Sequence, residues 1–106
     1  MADKAAEREP APTGDGPIVL DQVLLEIGAS NIAGDLLRRA EFGRAKYGTF
    51  LRAFNGRDPL VDLYQELLDA RMYGQQAKME GKLPPELNDF LLTLTRAAEA
   101  VEELIR

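Results

Sequence analysis

The sequence predicts an all-α protein whose subunit is of the four-helix-bundle type. Beyond position 16, apolar residues recur at intervals of three and four, which is the spacing of amphipathic helices. No segment alternates polar and apolar residues with a period of two, so no strand is expected. Residues that start or stop helices also divide the chain, notably Gly28, Pro59 and Gly81.

The first two helices are bounded by local signals. Apolar residues spaced three and four apart begin at Val19, and Gly28 ends this short helix. Ser30 or Asn31 can cap the second helix, because their side-chain oxygens accept hydrogen bonds from its first N–H groups. We expect the second helix to run to about Gly48.

The third and fourth helices follow a loop over residues 49–57. Asp58 is a typical N-cap and Pro59 a typical first helical residue, so the third helix should start there and run to about Glu80. Pro84 and Pro85 open the last helix. Its apolar stripe, which is typical of a helix facing a bundle, consists of Leu87, Phe90, Leu91, Leu94, Ala98, Val101, Leu104 and Ile105.

Residues 1–16 differ in composition from the rest of the chain. They are mostly Ala, Pro, Gly and charged residues, which bury too little apolar area to offset the entropy lost on ordering. We therefore predict a disordered tail over 1–16 and one helical domain over 17–106. About 90 residues form only a small core, so we expect the domain to associate into a homo-oligomer.

The composition excludes several kinds of site. The chain has no Cys and no His, so it contains neither a thiolate nucleophile nor a Ser-His-Asp triad. Any metal must be bound by oxygen, which favours Mg²⁺, Mn²⁺ or Ca²⁺. Apolar runs are far shorter than the roughly 20 residues of a membrane span, and the N-terminus is not hydrophobic. We expect no membrane partner and a cytoplasmic location.

Charge is unevenly distributed along the chain. The overall net charge is −5, yet residues 38–57 carry six bases and one acid, and residues 58–69 carry four acids and no base. This pairing suits a polyphosphate bridged by a divalent cation, since carboxylates bind the cation and cationic groups bind phosphate oxygens. Nucleic-acid binding by residues 38–57 is the weaker interpretation, because the neighbouring acids repel phosphates.

Three acids of the third helix define what we call the acidic strip: Asp62, Glu66 and Asp69. At 100° per residue they fall within about 60° of the helix circumference, between apolar flanks, and Tyr73 lies on the same line. Such carboxylates need a counter-charge, which a metal ion would supply. Two alternatives are ion pairs with arginines of the second helix and simple exposure to solvent.

Other candidate residues also have structural interpretations. Glu41 has an arginine three residues away on either side, so an intrahelical ion pair is an alternative to metal binding. For Lys46, Arg52 and Arg57 the alternative is a basic surface loop. The aromatic residues of this region are expected to be core residues or loop anchors more often than base-stacking groups; they are Tyr47, Phe50, Phe54 and Tyr64.

Three strings resemble one enzyme family. They are AEFGRAKYG from Ala40, NGRD from Asn55 and DLYQELLD from Asp62, the last containing Glu66-Leu-Leu-Asp69. Together they are similar to the ExxD-containing, MazG-like all-α nucleoside triphosphate pyrophosphohydrolases, especially small MazZ-like members from bacteriophages. The similarity covers roughly residues 30–80. The family's first motif usually reads EExxE, whereas the matching stretch here has Arg38, Arg39 and Glu41.

The resemblance implies a four-helix subunit assembled into a dimer or tetramer. It implies Mg²⁺- or Mn²⁺-dependent hydrolysis of a (deoxy)nucleoside triphosphate, with (d)GTP as the substrate of the MazZ-like subset, to the monophosphate and pyrophosphate. A phage-encoded member would act in the host cytoplasm. The metal ligands would be Glu41, Asp62, Glu66 and Asp69, with the general base among Glu41, Glu66 and Asp69. Substrate would be bound by Lys46, Tyr47, Asn55, Arg57 and Tyr73.

Two non-enzymatic interpretations stay open at the level of sequence. A helical oligomerisation or interaction module would use the acidic strip as a docking surface. A nucleic-acid-binding oligomer would use the basic segment over residues 38–57. Stabilisation by metal together with nucleotide is expected only of the enzyme.

Overall fold

The computed structural model describes residues 3–106, and within them it is all-helical. The helices are α1 (Val19–Ile27), α2 (Ala33–Tyr47), α3 (Pro59–Met79) and α4 (Asn88–Ile105), with a 3₁₀ turn over Pro85–Leu87. The described residues contain no strand, only an isolated antiparallel bridge between Ile18 and Arg52. The predicted all-α class is therefore confirmed.

The helix boundaries follow most of the local signals. α1 ends at Ile27, with Gly28 as its C-cap, and α3 begins after Asp58, whose Oδ1 accepts a hydrogen bond from the N–H of Leu60 at 3.0 Å. α2 starts one or two residues later than predicted, because its N-cap position is Ile32 and not Ser30 or Asn31. The Oγ of Ser30 accepts from the N–H of Ile32 at 3.3 Å, so this side chain closes a turn before the helix instead of capping it.

The chain forms two compact units, which we describe separately. The α3–α4 unit contains residues 3–8 and 58–106. Its two long helices are antiparallel, because Arg71 donates to the Oγ1 of Thr95 at 2.9 Å while Gly74, further along α3, lies against Leu91, earlier in α4. The buried apolar residues are Val61, Leu91, Ala98 and Val101.

The apolar stripe of α4 is only partly covered. Leu91, Ala98 and Val101 are buried as the periodicity predicts, whereas Leu104 is 70% exposed and Phe90 48% exposed. The 3₁₀ turn also delays the start of α4 from Pro85 to Asn88, since the first turn closes with a bond from the N–H of Leu87 to the carbonyl of Pro84. Part of the predicted bundle face is thus left without cover.

The α1–α2 unit contains residues 9–57, with α1 packed on α2. Residues 10–19 form an N-terminal segment that runs antiparallel to loop residues 51–57. Backbone N–H groups of Thr13, Ala53 and Val19 donate to the carbonyls of Asn55, Pro17 and Leu51 at 2.8, 2.9 and 2.9 Å respectively. The two strands of chain approach closely at one glycine: a Cβ on Gly16 would lie 2.1 Å from the carbonyl oxygen of Ala53.

These contacts bear on the predicted tail. The described part of residues 1–16 has hydrogen-bond partners that its composition does not indicate, including the Nε2 of Gln65, which donates to the carbonyls of Lys4 and Glu7 at 3.0 and 2.9 Å. Disorder of residues 1–16 stays a prediction, and residues 1–2 lie outside the described part. Over residues 3–106, no helix has the length and apolar composition that crossing a membrane requires.

Candidate functional site

The acidic strip lies on the exposed side of α3. Glu66 and Asp69 are exposed and Asp62 is half-buried, while Tyr73, one turn further along, is 70% exposed. Arg71 and Gly74, which contact α4, lie on the other side of the helix. The packing of α3 on α4 therefore leaves the strip facing outward, and the predicted alignment of the four side chains follows from the regular helix.

The strip is flanked by apolar side chains that are also exposed. Leu63 lies on one side of it and is 45% exposed, and Met72 lies on the other and is 66% exposed. A solvated helix face usually mixes charges of both signs. This face instead presents carboxylates between exposed apolar side chains, which is typical of an interaction surface.

Glu66 and Asp69 have no counter-charge in the part of the chain that is described. Within residues 3–106, neither carboxylate forms a salt bridge or a side-chain hydrogen bond. Two of the three arginines of α2 that the sequence offered as partners form local ion pairs: Arg38 pairs with Asp35, and the Nε of Arg44 lies 3.2 Å from the Oε2 of Glu41. Of the alternatives for these two acids, exposure to solvent is the one that the structure describes.

Glu41 forms the intrahelical ion pair that was its alternative role. Its side chain and that of Arg44 are each about half exposed. Exposed pairs of this kind contribute only about 0–1 kcal/mol to stability. Breaking this ion pair so that Glu41 binds a metal ion would therefore cost little free energy.

The donor atoms of these acids fit a hard divalent cation, since Mg²⁺ and Mn²⁺ prefer carboxylate oxygen. However, the structure brings together fewer carboxylate groups than a metal site needs. Across residues 3–106, no group of three or more acidic side chains is placed to bind one ion. Asp62 and Asp69 are separated by about 10 Å along the helix axis, so one cation cannot contact the whole strip.

Two of the four predicted substrate-binding residues of the α1–α2 unit line a partly open pocket of about 400 Å³. Tyr47 and Arg57 line it, together with apolar side chains that include Val19, Val23, Leu36 and Phe50. Arg39 also lines the pocket and lies above the ring of Phe42, at 5.1 Å from the ring centroid. An apolar lining with a few cationic groups suits a ligand with an apolar body and an anionic end.

Lys46 and Arg57 are placed differently. Lys46 is exposed on the last turn of α2, with its Nζ 5.2 Å from the centroid of the Tyr47 ring, so its ammonium group is available to an anion. Arg57 is half-buried, and its Nη1 donates to the carbonyl of Pro10 at 2.7 Å. This hydrogen bond to the N-terminal segment holds the guanidinium group of Arg57 in position.

Asn55 is the most buried of the predicted substrate-binding residues. It is 8% exposed, its Oδ1 accepts from the N–H of Arg57 at 3.1 Å, and its carbonyl accepts from both the N–H and the hydroxyl of Thr13. These bonds shape the turn before α3. The side chain thus organises the loop that presents its neighbours.

Sequence reasoning missed the most exposed aromatic side chain of the loop. Phe54 was expected to be a core residue or loop anchor, and this was wrong, because its side chain is 90% exposed and its φ is +58°. A left-handed backbone is rare for an aromatic residue. An Asn-Gly pair is typical of a turn, and Phe54 lies immediately before such a pair, Asn55-Gly56, whose glycine also has a positive φ of 83°.

Comparison with known proteins adds no relative. No protein-family model, curated protein or solved structure matches this chain. Function is therefore inferred from the chemistry of these side chains and from the motifs that they form.

Proposed function

We propose that this protein is a MazG-like nucleoside triphosphate pyrophosphohydrolase. It would hydrolyse a (deoxy)nucleoside triphosphate, with dGTP as the first candidate, to the monophosphate and pyrophosphate in the presence of Mg²⁺ or Mn²⁺. The observation that carries this proposal is the pair Glu66 and Asp69, two exposed carboxylates of an ExxD motif that have no counter-charge within residues 3–106.

The electrostatics of the strip support cation binding. Like charges one helical turn apart repel each other, and a bound cation would relieve that repulsion. The exposed flanks, Leu63 and Met72, would lower the local dielectric once covered and strengthen the attraction. The ligands would be Glu66 and Asp69 with Asp62 and Glu41, and gathering them into one site is part of the proposal.

In this reaction, the residues of the chain would have distinct roles. A bound divalent cation would neutralise phosphate charge and acidify a water molecule. Glu41, Glu66 or Asp69 would accept the proton of the water that attacks the α-phosphorus, and the bond to the β-phosphate oxygen would break to release pyrophosphate. Lys46 and Arg57 would bind phosphate oxygens, and Tyr47, Asn55 and Tyr73 would line the substrate site.

The proposal includes a homo-oligomer, a dimer or tetramer, in the cytoplasm, and it is consistent with a bacteriophage origin. The large apolar side chains that the helices leave exposed support this association. A second copy would cover that surface. The second copy would also contribute carboxylate ligands, because residues 3–106 of one copy contain no group of three acidic side chains placed to bind one ion.

The decisive experiment is a screen of the eight common (deoxy)nucleoside triphosphates for pyrophosphate release with Mg²⁺ or Mn²⁺. We expect metal-dependent release that is lost in Glu66→Gln and kept in Glu99→Gln, a matched change at an exposed acid of α4 outside the strip. Absence of pyrophosphate from every triphosphate would contradict the proposal.

A second candidate function is supported by one observation. The exposed apolar flanks of the acidic strip also suit a helical interaction module that docks a basic partner helix. Thermal-shift titration distinguishes the two. The enzyme should be stabilised by Mn²⁺ together with a nucleotide, whereas the interaction module, like a nucleic-acid-binding oligomer, should respond to neither.

A further inference from the structure

Phe54 combines two features that rarely occur together. Its side chain is 90% exposed, which forgoes the free energy of burying an aromatic ring, and its backbone adopts φ +58°. Non-glycine residues in such conformations persist only where the surrounding structure imposes them, and they cluster at ligand-binding sites.

Hydrogen bonds on both sides of Phe54 impose this conformation. Immediately before it, the N–H of Ala53 donates to the carbonyl of Pro17 at 2.9 Å, and immediately after it, the carbonyl of Asn55 accepts from the N–H of Thr13 at 2.8 Å. Gly16 allows the two segments to approach closely. The loop is therefore held in place at each neighbour of Phe54, and the ring has no contact that buries it.

The charged residues of the same loop indicate what the ring would bind. Loop residues 49–57 contain Arg52 and Arg57 and no acid. An exposed aromatic ring on a loop that also carries two guanidinium groups suits a ligand with a π-face and an anionic group, and a nucleotide has both. Symmetric contact between the same loops of two copies would instead bring like charges together. A long polyanion is disfavoured by the net charge of −5 on the chain.

We propose that Phe54 stacks on the base of a bound nucleotide. This inference rests on the proposed function, since it names the residue that binds the base of that enzyme's substrate. Stacking tolerates every base, because each base has a π-face. Phe54 would therefore supply affinity with little discrimination among bases.

The chain has no tryptophan, so Phe54→Trp places a single reporter at the site. In metal-free buffer, where no hydrolysis is expected, we expect dGMP, dAMP, dCMP and TMP each to quench its emission, and deoxyribose 5-phosphate and pyrophosphate to leave it unchanged. Phe90→Trp, at a ring of α4 that is 48% exposed, is the control and should not respond. Because this readout needs no turnover, quenching without pyrophosphate release would refute only the proposed enzymatic activity.

Two further variants separate stacking from a structural role. Phe54→Ala should weaken monophosphate binding by about 5- to 150-fold, equivalent to about 1–3 kcal/mol, and Phe54→Tyr should restore it. Phe54→Asn should raise the melting temperature while abolishing binding, because asparagine tolerates a left-handed backbone but cannot stack as an aromatic ring does. A structural anchor would instead lose stability in both Phe54→Ala and Phe54→Asn.

Three results would overturn the inference. The first is wild-type affinity for dGMP in Phe54→Ala. The second is a change in Phe54→Trp emission with protein concentration alone, which would place the ring at a contact between copies. The third is quenching by an eight-residue oligo(dT) at concentrations a hundredfold below those needed for TMP, which would indicate single-stranded nucleic acid as the ligand.

Discussion

Glu66 and Asp69 differ from the acids of α2 in what lies one turn away. Asp35 and Glu41 each have an arginine three residues later, and each forms an ion pair with it. Glu66 is followed at the same spacing by Asp69, and Asp69 by Met72. No base within reach on the same helix can pair with them, so the sequence spacing itself explains why these two carboxylates are unpaired on α3.

Neutralising either acid should separate activity from stability. In Glu66→Gln and Asp69→Asn we expect Mn²⁺-dependent pyrophosphate release from dGTP to fall by about 100-fold or more. The melting temperature without metal should stay the same or rise, because the change relieves repulsion within the strip. Glu99→Gln should alter neither quantity. Activity near the wild-type level in either strip variant would rule out the metal-site assignment.

A substitution at Gly16 would test the contact between the N-terminal segment and the loop. A methyl group there would lie 2.1 Å from the carbonyl oxygen of Ala53, and this backbone atom cannot move aside easily. We expect Gly16→Ala to reduce the free energy of unfolding by about 1–3 kcal/mol, measured by urea denaturation.

The matched control for this change is Gly43→Ala. Gly43 lies inside α2, and an added Cβ there meets no atom within 4 Å, so the substitution should stabilise the protein by about 1 kcal/mol through helix propensity. If Gly16→Ala proved neutral, the N-terminal segment would be the disordered tail that its composition predicts.

At the scale of elements, α3 and α4 approach each other closely at Gly74. Gly74 has no side chain, and a Cβ added there would lie 2.5 Å from the Cδ2 of Leu91. Leu91 therefore fills the space beside Gly74, where it is 5% exposed. The neighbouring Leu92 points away from this contact and is 48% exposed.

Truncating these two adjacent leucines should therefore lower the free energy of unfolding by different amounts. We expect Leu91→Ala to lower the free energy of unfolding by about 2–5 kcal/mol, because it removes buried surface and leaves a cavity. Leu92→Ala should cost less than about 1 kcal/mol, as most surface changes do. Equal losses at a single protein concentration would show that the assignment of the α4 face is wrong, and urea denaturation of both variants makes the comparison.

For the whole molecule, exposed apolar surface is the dominant feature. Only four hydrophobic residues are buried within residues 3–106, while large apolar side chains on every helix are more than a third exposed. Examples that are each more than half exposed are Leu25 on α1, Phe42 on α2, Met79 at the end of α3 and Leu104 on α4. Exposed apolar surface on this scale marks interaction sites in small proteins.

We expect the protein to be a dimer or tetramer by light scattering at micromolar concentration. Its melting temperature should rise with protein concentration, since association stabilises the folded state by mass action. Leu104→Glu, in the uncovered part of the α4 stripe, should lower both the measured mass and the melting temperature, and Leu25→Glu on α1 is the comparison. A fully folded monomer with a concentration-independent melting temperature would contradict this expectation.

The sequence by itself determined the features that depend on neighbours a few residues apart. Asp58 and Pro59 start α3 because an N-cap and a fixed φ act within one turn, and Gly28 ends α1 for an equally local reason. The alignment of Asp62, Glu66 and Asp69 is likewise a consequence of helical periodicity alone. For this reason the all-α class and the existence of the acidic strip were predictable.

Only the tertiary structure decided which parts of those helices are covered. Periodicity places Leu91 and Leu104 on one stripe of α4, but the extent of the contact with α3 buries the first and leaves the second 70% exposed. The exposure of Phe54 and the need for Gly16 arise from hydrogen bonds between residues about 40 positions apart. Such contacts depend on where distant segments meet in space, and a local pattern of residue types carries no information about that meeting.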